Sequence, residues 1–254
     1  MTNVELYCEP DDSAAVEAYA EHFTLRAVSR AQWPDLAGKE TNWWLQYREQ
    51  RLRLCRGADA KGVCVDPAEV RRRAVRSSEL ARACGLAGGR NGLRDRVCSL
   101  LDGTCGWGVD ALTLAQLGAE VTMLEHSAVV WALANDLLQT QAALPVTLHH
   151  AELSQWLVQQ EPGRFDVIYL DPMFPARNKT AAPNKRLQYL AALVAAAPLP
   201  MASTLDEWLA LCRRHARARV VLKRRRNDPP LAQAPSWQIQ GRSIRYDVYR
   251  PTQP

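Results

Sequence analysis

From residue 97 onward the chain alternates two hydrophobic periods. Short apolar runs at 97–101, 121–125, 146–149, 165–170 and 219–223 predict strands. Between them, residues 109–116, 129–139, 153–160 and 205–215 carry the three-to-four-residue apolar spacing of helices. Strand and helix in repetition predict an α/β domain with a mostly parallel sheet covered on both faces. The tail departs from this rhythm. Residues 237–240 and 244–249 read as strands with only a turn at Gly241 and Arg242 between them, an antiparallel hairpin at the sheet edge. With it the sheet has seven strands.

The first part of the chain is patterned differently. Residues 11–22 read as a helix capped by Asp11 or Asp12, and 25–29, 43–47, 51–55 and 62–66 as short strands. Pro67 suits the first turn of a helix capped by Asp66, running to about Cys84. Gly85, Gly88, Gly89 and Gly92 close it. We therefore expect a small strand-rich α+β domain over 1–92, associated with substrate, and a larger domain over 93–254.

Composition narrows the class. Hydrophobic residues make up 47% of the 254, enough for a core, and the net charge of +5 permits a polyanionic partner. The seven cysteines are scattered with no C-x-x-C pair, which points to buried thiols in a reducing compartment and to no metal site. The start of the chain lacks the basic and apolar regions of a signal peptide. The most apolar run, 190–201, is broken by Pro198 and Pro200 and falls short of the roughly 20 residues of a membrane span. The expectation is a soluble, cytoplasmic protein without a membrane partner. Trp43 and Trp44 read as packing residues, and His149 and His150 as structural.

The chemistry begins after the strand at 97–101, with Asp102-Gly103-Thr104-Cys105-Gly106-Trp107-Gly108. Glycines let the backbone turn sharply and approach a ligand where a Cβ would clash. The helix behind them offers unpaired N–H groups. A dinucleotide enzyme spaces its glycines G-x-G-x-x-G to seat a pyrophosphate. Here Gly103, Gly106 and Gly108 are spaced G-x-x-G-x-G, and Asp102 leads them. That acid would repel a pyrophosphate but suits an ammonium group, as on S-adenosylmethionine. Glu125 ends the next strand about 20 residues on, where an acid accepts ribose hydroxyls. Glu152 and Leu153 follow the third strand and are placed to lie over an adenine.

A second motif, Asp171-Pro172-Met173-Phe174-Pro175, ends the fourth strand. The exocyclic amine of a base is a poor nucleophile because its lone pair is delocalised into the ring. Asp171 and the Pro172 carbonyl can each accept one of its N–H groups and aim the lone pair at a methyl sulfonium. Phe174 can stack on the base and fix its plane. Positioning supplies most of the rate in such a site.

The D-x-x-x-G-x-G loop with DPMFP, together with VIYLDPMFPARNKTA, VVLKR, PPLA and RYDVY, resembles the bacterial ribosomal RNA small subunit methyltransferase J family. The resemblance covers about 94–251 and is weak over the first 66 residues. It implies a Rossmann-like class I methyltransferase fold and S-adenosylmethionine as cofactor. It further implies methylation of the exocyclic N2 of a guanosine in 16S ribosomal RNA, with the small ribosomal subunit as partner. By the same resemblance the cofactor contacts fall on Val109, Asp110, Glu125, His126, Glu152, Leu153 and Asp171. Relatives tend to have Arg-Asp at Val109-Asp110, a basic residue at His126 and two serines at Glu152-Leu153.

Three basic clusters are candidates for the phosphate backbone: Arg71, Arg72, Arg73 and Arg76; Arg177, Lys179, Lys185 and Arg186; and Lys223 to Arg226. Arg213, Arg214 and Arg217 read as a solvated helix face. Two other functions suit parts of this pattern. One is a nucleic-acid adenine-N6 methyltransferase, which handles a similar amine. The other is a non-catalytic RNA-binding or ribosome-assembly factor on the same fold.

Overall fold

The computed structural model describes residues 4–8, 26–28, 43–59, 61–88, 97–141, 143–172, 184–196 and 204–252. In chain order the elements open with β1 (Val4–Cys8), β2 (Arg26–Val28), β3 (Trp43–Arg48), β4 (Arg51–Arg56), α1 (Pro67–Arg73) and α2 (Glu79–Ala83). There follow β5 (Ser99–Asp102), α3 (Val109–Gln116), β6 (Glu120–Glu125), α4 (Ala128–Gln139), β7 (Val146–His150), α5 (Leu153–Leu157) and β8 (Phe165–Leu170). The last are α6 (Lys185–Ala196), α7 (Leu205–His215), β9 (Ala216–Arg225), β10 (Trp237–Gln240) and β11 (Ile244–Tyr249). The helix expected at 11–22 lies outside the described residues.

Two compact units result. One comprises Met1–Val65, Ala128–Asp136 and Met173–Pro200; the other comprises Asp66–Ser127, Leu137–Pro172 and Met201–Pro254. The sequence places one boundary near residue 92, whereas α1 and α2 group with the second unit.

The second unit holds a seven-stranded sheet in the order β10-β11-β9-β8-β5-β6-β7. The five strands from β9 to β7 are parallel. β8 is buried at all six positions, as a central strand covered on both faces must be. The closing hairpin does sit at the edge, but in a particular order. β11 pairs with β9 and leaves only β10 outside. β9 is longer than the expected 219–223 because it is paired on both sides, with β8 and β11. On one face Leu153, Leu157, Trp208, Leu209 and Cys212 of α5 and α7 pack with Leu101, Ile168, Leu170 and Val220 of the strands. α7 is begun by a capping box between Thr204 and Glu207.

The chain order reverses about β5: its own helix leads to β6 on one side, and β8 lies on the other. That reversal opens a crevice at the carboxyl ends of β5 and β8, where α/β sheets bind ligands.

The helix expected from Pro67 to about Cys84 is broken. Ala74 leaves helical geometry at ψ 64°, and the Ser78 hydroxyl accepts the Ala81 amide at 3.2 Å as the cap of a new helix. Serine competes locally with helix continuation in this way. Gly85, at φ +78°, ends α2 in the left-handed region.

The first unit carries a four-stranded sheet, β2-β1-β3-β4, with β1 parallel to both neighbours and β3–β4 a hairpin. Its turn, Glu49-Gln50, has φ of 54° and 56°. This is the twist a two-residue hairpin needs, achieved without glycine. The strand expected at 62–66 reduces to a single bridge between Val63 and Leu54. Trp43 and Trp44 are both buried, and Trp43 meets the Tyr189 ring edge-on at 5.4 Å. Asp136 of α4 anchors the hairpin. It accepts from Arg51 Nε at 2.8 Å and from the Leu52 amide at 2.9 Å, while Arg51 Nη2 donates to the Val65 carbonyl.

Removing one partner of a buried ion pair leaves the other uncompensated. Asp136→Ala is expected to cost this unit about 3 kcal/mol. The measurement is amide hydrogen exchange across β3 and β4. Unchanged protection of Leu52 would show that the pair adds nothing net.

Candidate active site

Three loops meet at the carboxyl ends of β5, β6 and β8. Asp102 is the last residue of β5 and only 1% exposed. Its carboxyl accepts the Thr104 amide at 3.1 Å, and burial pushes its pKa well above the usual carboxylate range. A cation arriving beside it would bring it back to the ionised form. The Gly103 amide donates to the Tyr169 carbonyl at 3.0 Å. A Cβ on Gly103 would stand 2.7 Å from Leu153 Cδ1 and 3.0 Å from Leu170 Cδ2, so any larger residue would displace these leucine side chains. Gly106 and Gly108 have φ of 53° and 77°. Gly108 is the N-cap of α3 and supplies no side-chain cap, which leaves the first-turn amides of that helix available to a ligand.

Glu125 ties the second loop to the first. Oε2 accepts the Gly106 amide at 3.1 Å and Oε1 the Ser127 amide at 2.8 Å, with His126 Nδ1 3.1 Å from Oε1. Oε2 keeps a lone pair for another donor, while Oε1 is shared by Ser127 and His126. Burial raises the Glu125 carboxyl to about 7 against the pull of these amides. Burial lowers the His126 imidazole, whose carbonyl accepts from His150 Nε2 at 2.9 Å.

The third loop begins at Asp171. Its amide donates to Thr104 Oγ1 at 2.7 Å, a direct link between the glycine loop and the DPMFP motif. Asp171 Oδ2 receives Lys223 Nζ at 2.6 Å. Pro172 is half-buried beside it, and Phe174 lies outside the described residues.

The other candidates have different roles in the fold. The Glu152 carboxylate caps α5 through the Gln155 amide at 2.8 Å. Val109 and Leu153 are buried, leaving only their backbones to face a ligand. The Asp110 carboxylate is fully engaged. Oδ1 accepts from Arg73 Nη2 at 2.6 Å; Oδ2 accepts from Tyr169 Oη at 2.7 Å and Lys223 Nζ at 2.8 Å. Burial alone would raise this carboxyl, but Lys223 and Arg73 hold it well below its usual range. Burial would lower the Lys223 ammonium, and Asp110 and Asp171 raise it above the ordinary lysine value.

The sequence counts Arg73 and Lys223 among basic rims; the structure ties both to the buried Asp110 carboxylate. Arg72 pairs with Asp66, and Arg76 donates to the Leu86 carbonyl. Arg224 is buried near Asp247, while Arg225 and Arg226 are exposed. Arg213 and Arg217, read as a solvated face, bond to the Arg250 and Gly163 carbonyls. Thr104 and Tyr169 escape sequence reading because neither residue type signals a site. Lys223 does leave one signal, a charge closing the otherwise apolar run VVL of a central strand.

Comparison with known proteins agrees with this geometry. Residues 29–251 match the family SAM_MT, described as "Putative SAM-dependent methyltransferase". The chain is 39% identical to ribosomal RNA small subunit methyltransferase J of Alkalilimnicola ehrlichii, over 95% of this chain and 93% of that one. It is 33% identical to the protein of the same name from Cellvibrio japonicus, over 98% and 97%. The chain belongs to the ribosomal RNA small subunit methyltransferase J family. A crystal structure of a SAM-dependent methyltransferase from Neisseria gonorrhoeae superposes with a TM-score of 0.71 at 24% identity, covering 97% of this chain and 96% of that one. The fold is thus the Rossmann-like class I methyltransferase fold. In this family member the glycine loop, Glu125 and Asp171 converge, while Asp110 serves an internal charge network.

That network generates a stability prediction. Asp110→Asn leaves Arg73 and Lys223 poorly compensated and should destabilise the second unit by about 3 kcal/mol. Urea unfolding followed by tryptophan fluorescence measures it. A change under about 1 kcal/mol would show that other groups already satisfy the two cations.

Proposed function

We propose that this chain transfers a methyl group from S-adenosylmethionine to the exocyclic N2 of a guanosine in 16S ribosomal RNA, acting on the small ribosomal subunit in the cytoplasm. The observation that carries the reading is the Thr104–Asp171 hydrogen bond of 2.7 Å, which fixes the glycine loop beside the acceptor acid. The relatives' name supplies the substrate class.

When bound, S-adenosylmethionine supplies a methyl on sulfonium; sulfur keeps the bonding pair as the amine nitrogen forms the new bond and then sheds a proton. The residues present fit that cofactor. The positive-φ glycines Gly106 and Gly108 carry the backbone into the uncapped start of α3, and buried Asp102 suits a cation. Glu125 would take a ribose hydroxyl on Oε2, which holds only the Gly106 amide. The uncapped start of α3 and the backbone of Leu153 complete the seat. Asp171 and the Pro172 carbonyl accept the two N–H groups of the amine, drawing its lone pair out of conjugation, and Phe174 stacks on the base. No strong base is required, because the proton leaves after the bond has formed. The first unit is assigned to substrate. Arg225 and Arg226, exposed at the carboxyl end of β9, are placed to meet phosphates.

The direct test incubates the protein with labelled S-adenosylmethionine and unmethylated small subunits or 16S RNA, followed by nucleoside analysis. Label on guanine N2 is expected. Label on adenine N6 would install the adenine reading, and a folded protein that binds no cofactor would favour the assembly-factor reading.

Two variants separate the roles. Asp171→Ala should lower kcat at least about 100-fold while cofactor affinity stays within a few-fold. A large loss of binding would reassign Asp171 to the cofactor. Glu125→Gln should weaken cofactor binding about 10- to 100-fold, the loss of charge-assisted hydrogen bonds. Because the ionised carboxylate is the better acceptor and its pKa is held at about 7, wild-type affinity should rise with pH up to that value and then level. The Gln variant should lack this rise. A rise that persists would assign the titration to His126.

A further inference from the structure

Asp171 has a backbone anchor at Thr104 and, among the described residues, one side-chain partner, Lys223. Lys223 does not reach it from solvent. Its side chain is 17% exposed, and its ammonium lies between Asp171 Oδ2 at 2.6 Å and Asp110 Oδ2 at 2.8 Å. Asp110, 11% exposed, is itself fixed by Arg73 and Tyr169. Exposure then rises to 42% at the Asp171 side chain. The chain Arg73–Asp110–Lys223–Asp171 therefore has a buried centre, Asp110 and Lys223, between two part-exposed ends, Arg73 at 39% and Asp171, and Lys223 holds one oxygen of Asp171, Oδ2.

We propose that Lys223 is a positioning residue for methyl transfer. By clamping Asp171 Oδ2 it turns Oδ1 toward the amine and keeps the carboxylate ionised. This rests on Asp171 being the acceptor acid. An unclamped aspartate rotates about two torsions and gives the amine no fixed direction. A site that works by positioning loses rate steeply with such freedom. The charge argument points the same way. Burial and the nearby Asp110 carboxylate both oppose ionisation of Asp171, and Lys223 is the cation in contact with it. The remaining charged or titratable groups facing this pair are Arg73 on α1, Tyr169 on β8, Tyr246 on β11 and Asp102 on β5. Arg73 is the other cation of the set, and it is bonded to Asp110. Tyr246 sits opposite Lys223 in the β9–β11 register and supplies no positive charge.

The experiment compares Lys223→Met and Lys223→Arg with wild type and with Asp171→Ala, all measured on unmethylated 16S RNA or subunits at saturating cofactor. Lys223→Met should hold cofactor affinity within a few-fold and lower kcat at least about tenfold. The acidic limb of its kcat–pH profile should move up by about one pH unit, because Asp171 has lost the cation that favours its charged form. Lys223→Arg, which keeps the charge, should hold the limb in place and recover part of kcat. Wild-type kcat and an unmoved limb in Lys223→Met, with Asp171→Ala inactive, would overturn the positioning role alone. Full turnover by Asp171→Ala would overturn both this role and the reading of Asp171. Should Lys223→Met fail to fold, Lys223→Gln replaces it under the same readouts: lowered kcat and a raised acidic limb at unaltered cofactor affinity support the clamp, and wild-type kcat with an unmoved limb overturns it.

Discussion

A carboxylate buried in a protein must find cations, and Asp110 finds two. Arg73 comes from α1, ahead of the sheet in sequence, and Lys223 from β9, more than a hundred residues later. Tyr169 of β8 adds a third hydrogen bond. One side chain on the first turn of α3 therefore joins α1, β8 and β9 behind the crevice. Attraction among these groups has to offset the desolvation of each, so the arrangement is valuable for where it holds things more than for net stability. What it holds is Asp171, through the lysine that the two acids share.

The crevice itself follows from topology. Strand order reverses about β5, and the loops after β5, β6 and β8 converge at one end of the sheet. Gly103 lets the first loop lie against Leu153 and Leu170, Gly106 gives its amide to Glu125, and Thr104 takes the amide of Asp171. The glycine loop, Glu125 and Asp171 thus share one hydrogen-bonded frame. Methyl transfer to a weakly nucleophilic amine needs orientation above all, and a frame of this kind supplies it with little acid–base chemistry. The basic character of the chain is partly spent within the fold. Arg72, Arg73, Arg76 and Lys223 all bond to protein groups, while Arg71, Arg225 and Arg226 are among the exposed charges of the described residues.

Much of the second unit is legible from hydrophobic period. β8, α3, α7 and both hairpin strands fall where the pattern puts them, because strands buried on both faces and helices lying on a sheet leave strong periodic signals. The reading weakens where one local bond decides. A single serine hydroxyl splits the helix after Pro67, and Val63 makes one bridge where a strand is expected. β1 leaves no distinct signal, since five residues joining two parallel neighbours carry little period of their own.

The sequence by itself determined the alternation of strand and helix from β5 to β8 and the closing hairpin, the glycine loop led by Asp102, the strand-end acid Glu125 and the DPMFP motif. These are local: each depends on residues a few positions apart and on where a strand ends. Only the tertiary structure decided which charges pair with a buried acid. Arg73 and Lys223 look in sequence like members of basic runs, and Asp110 looks like part of the cofactor loop. Their pairing spans 37 and 113 positions of chain. It arises because the sheet order brings α1, α3 and β9 together around a buried carboxylate that must be neutralised, a demand that no run of neighbouring residues expresses.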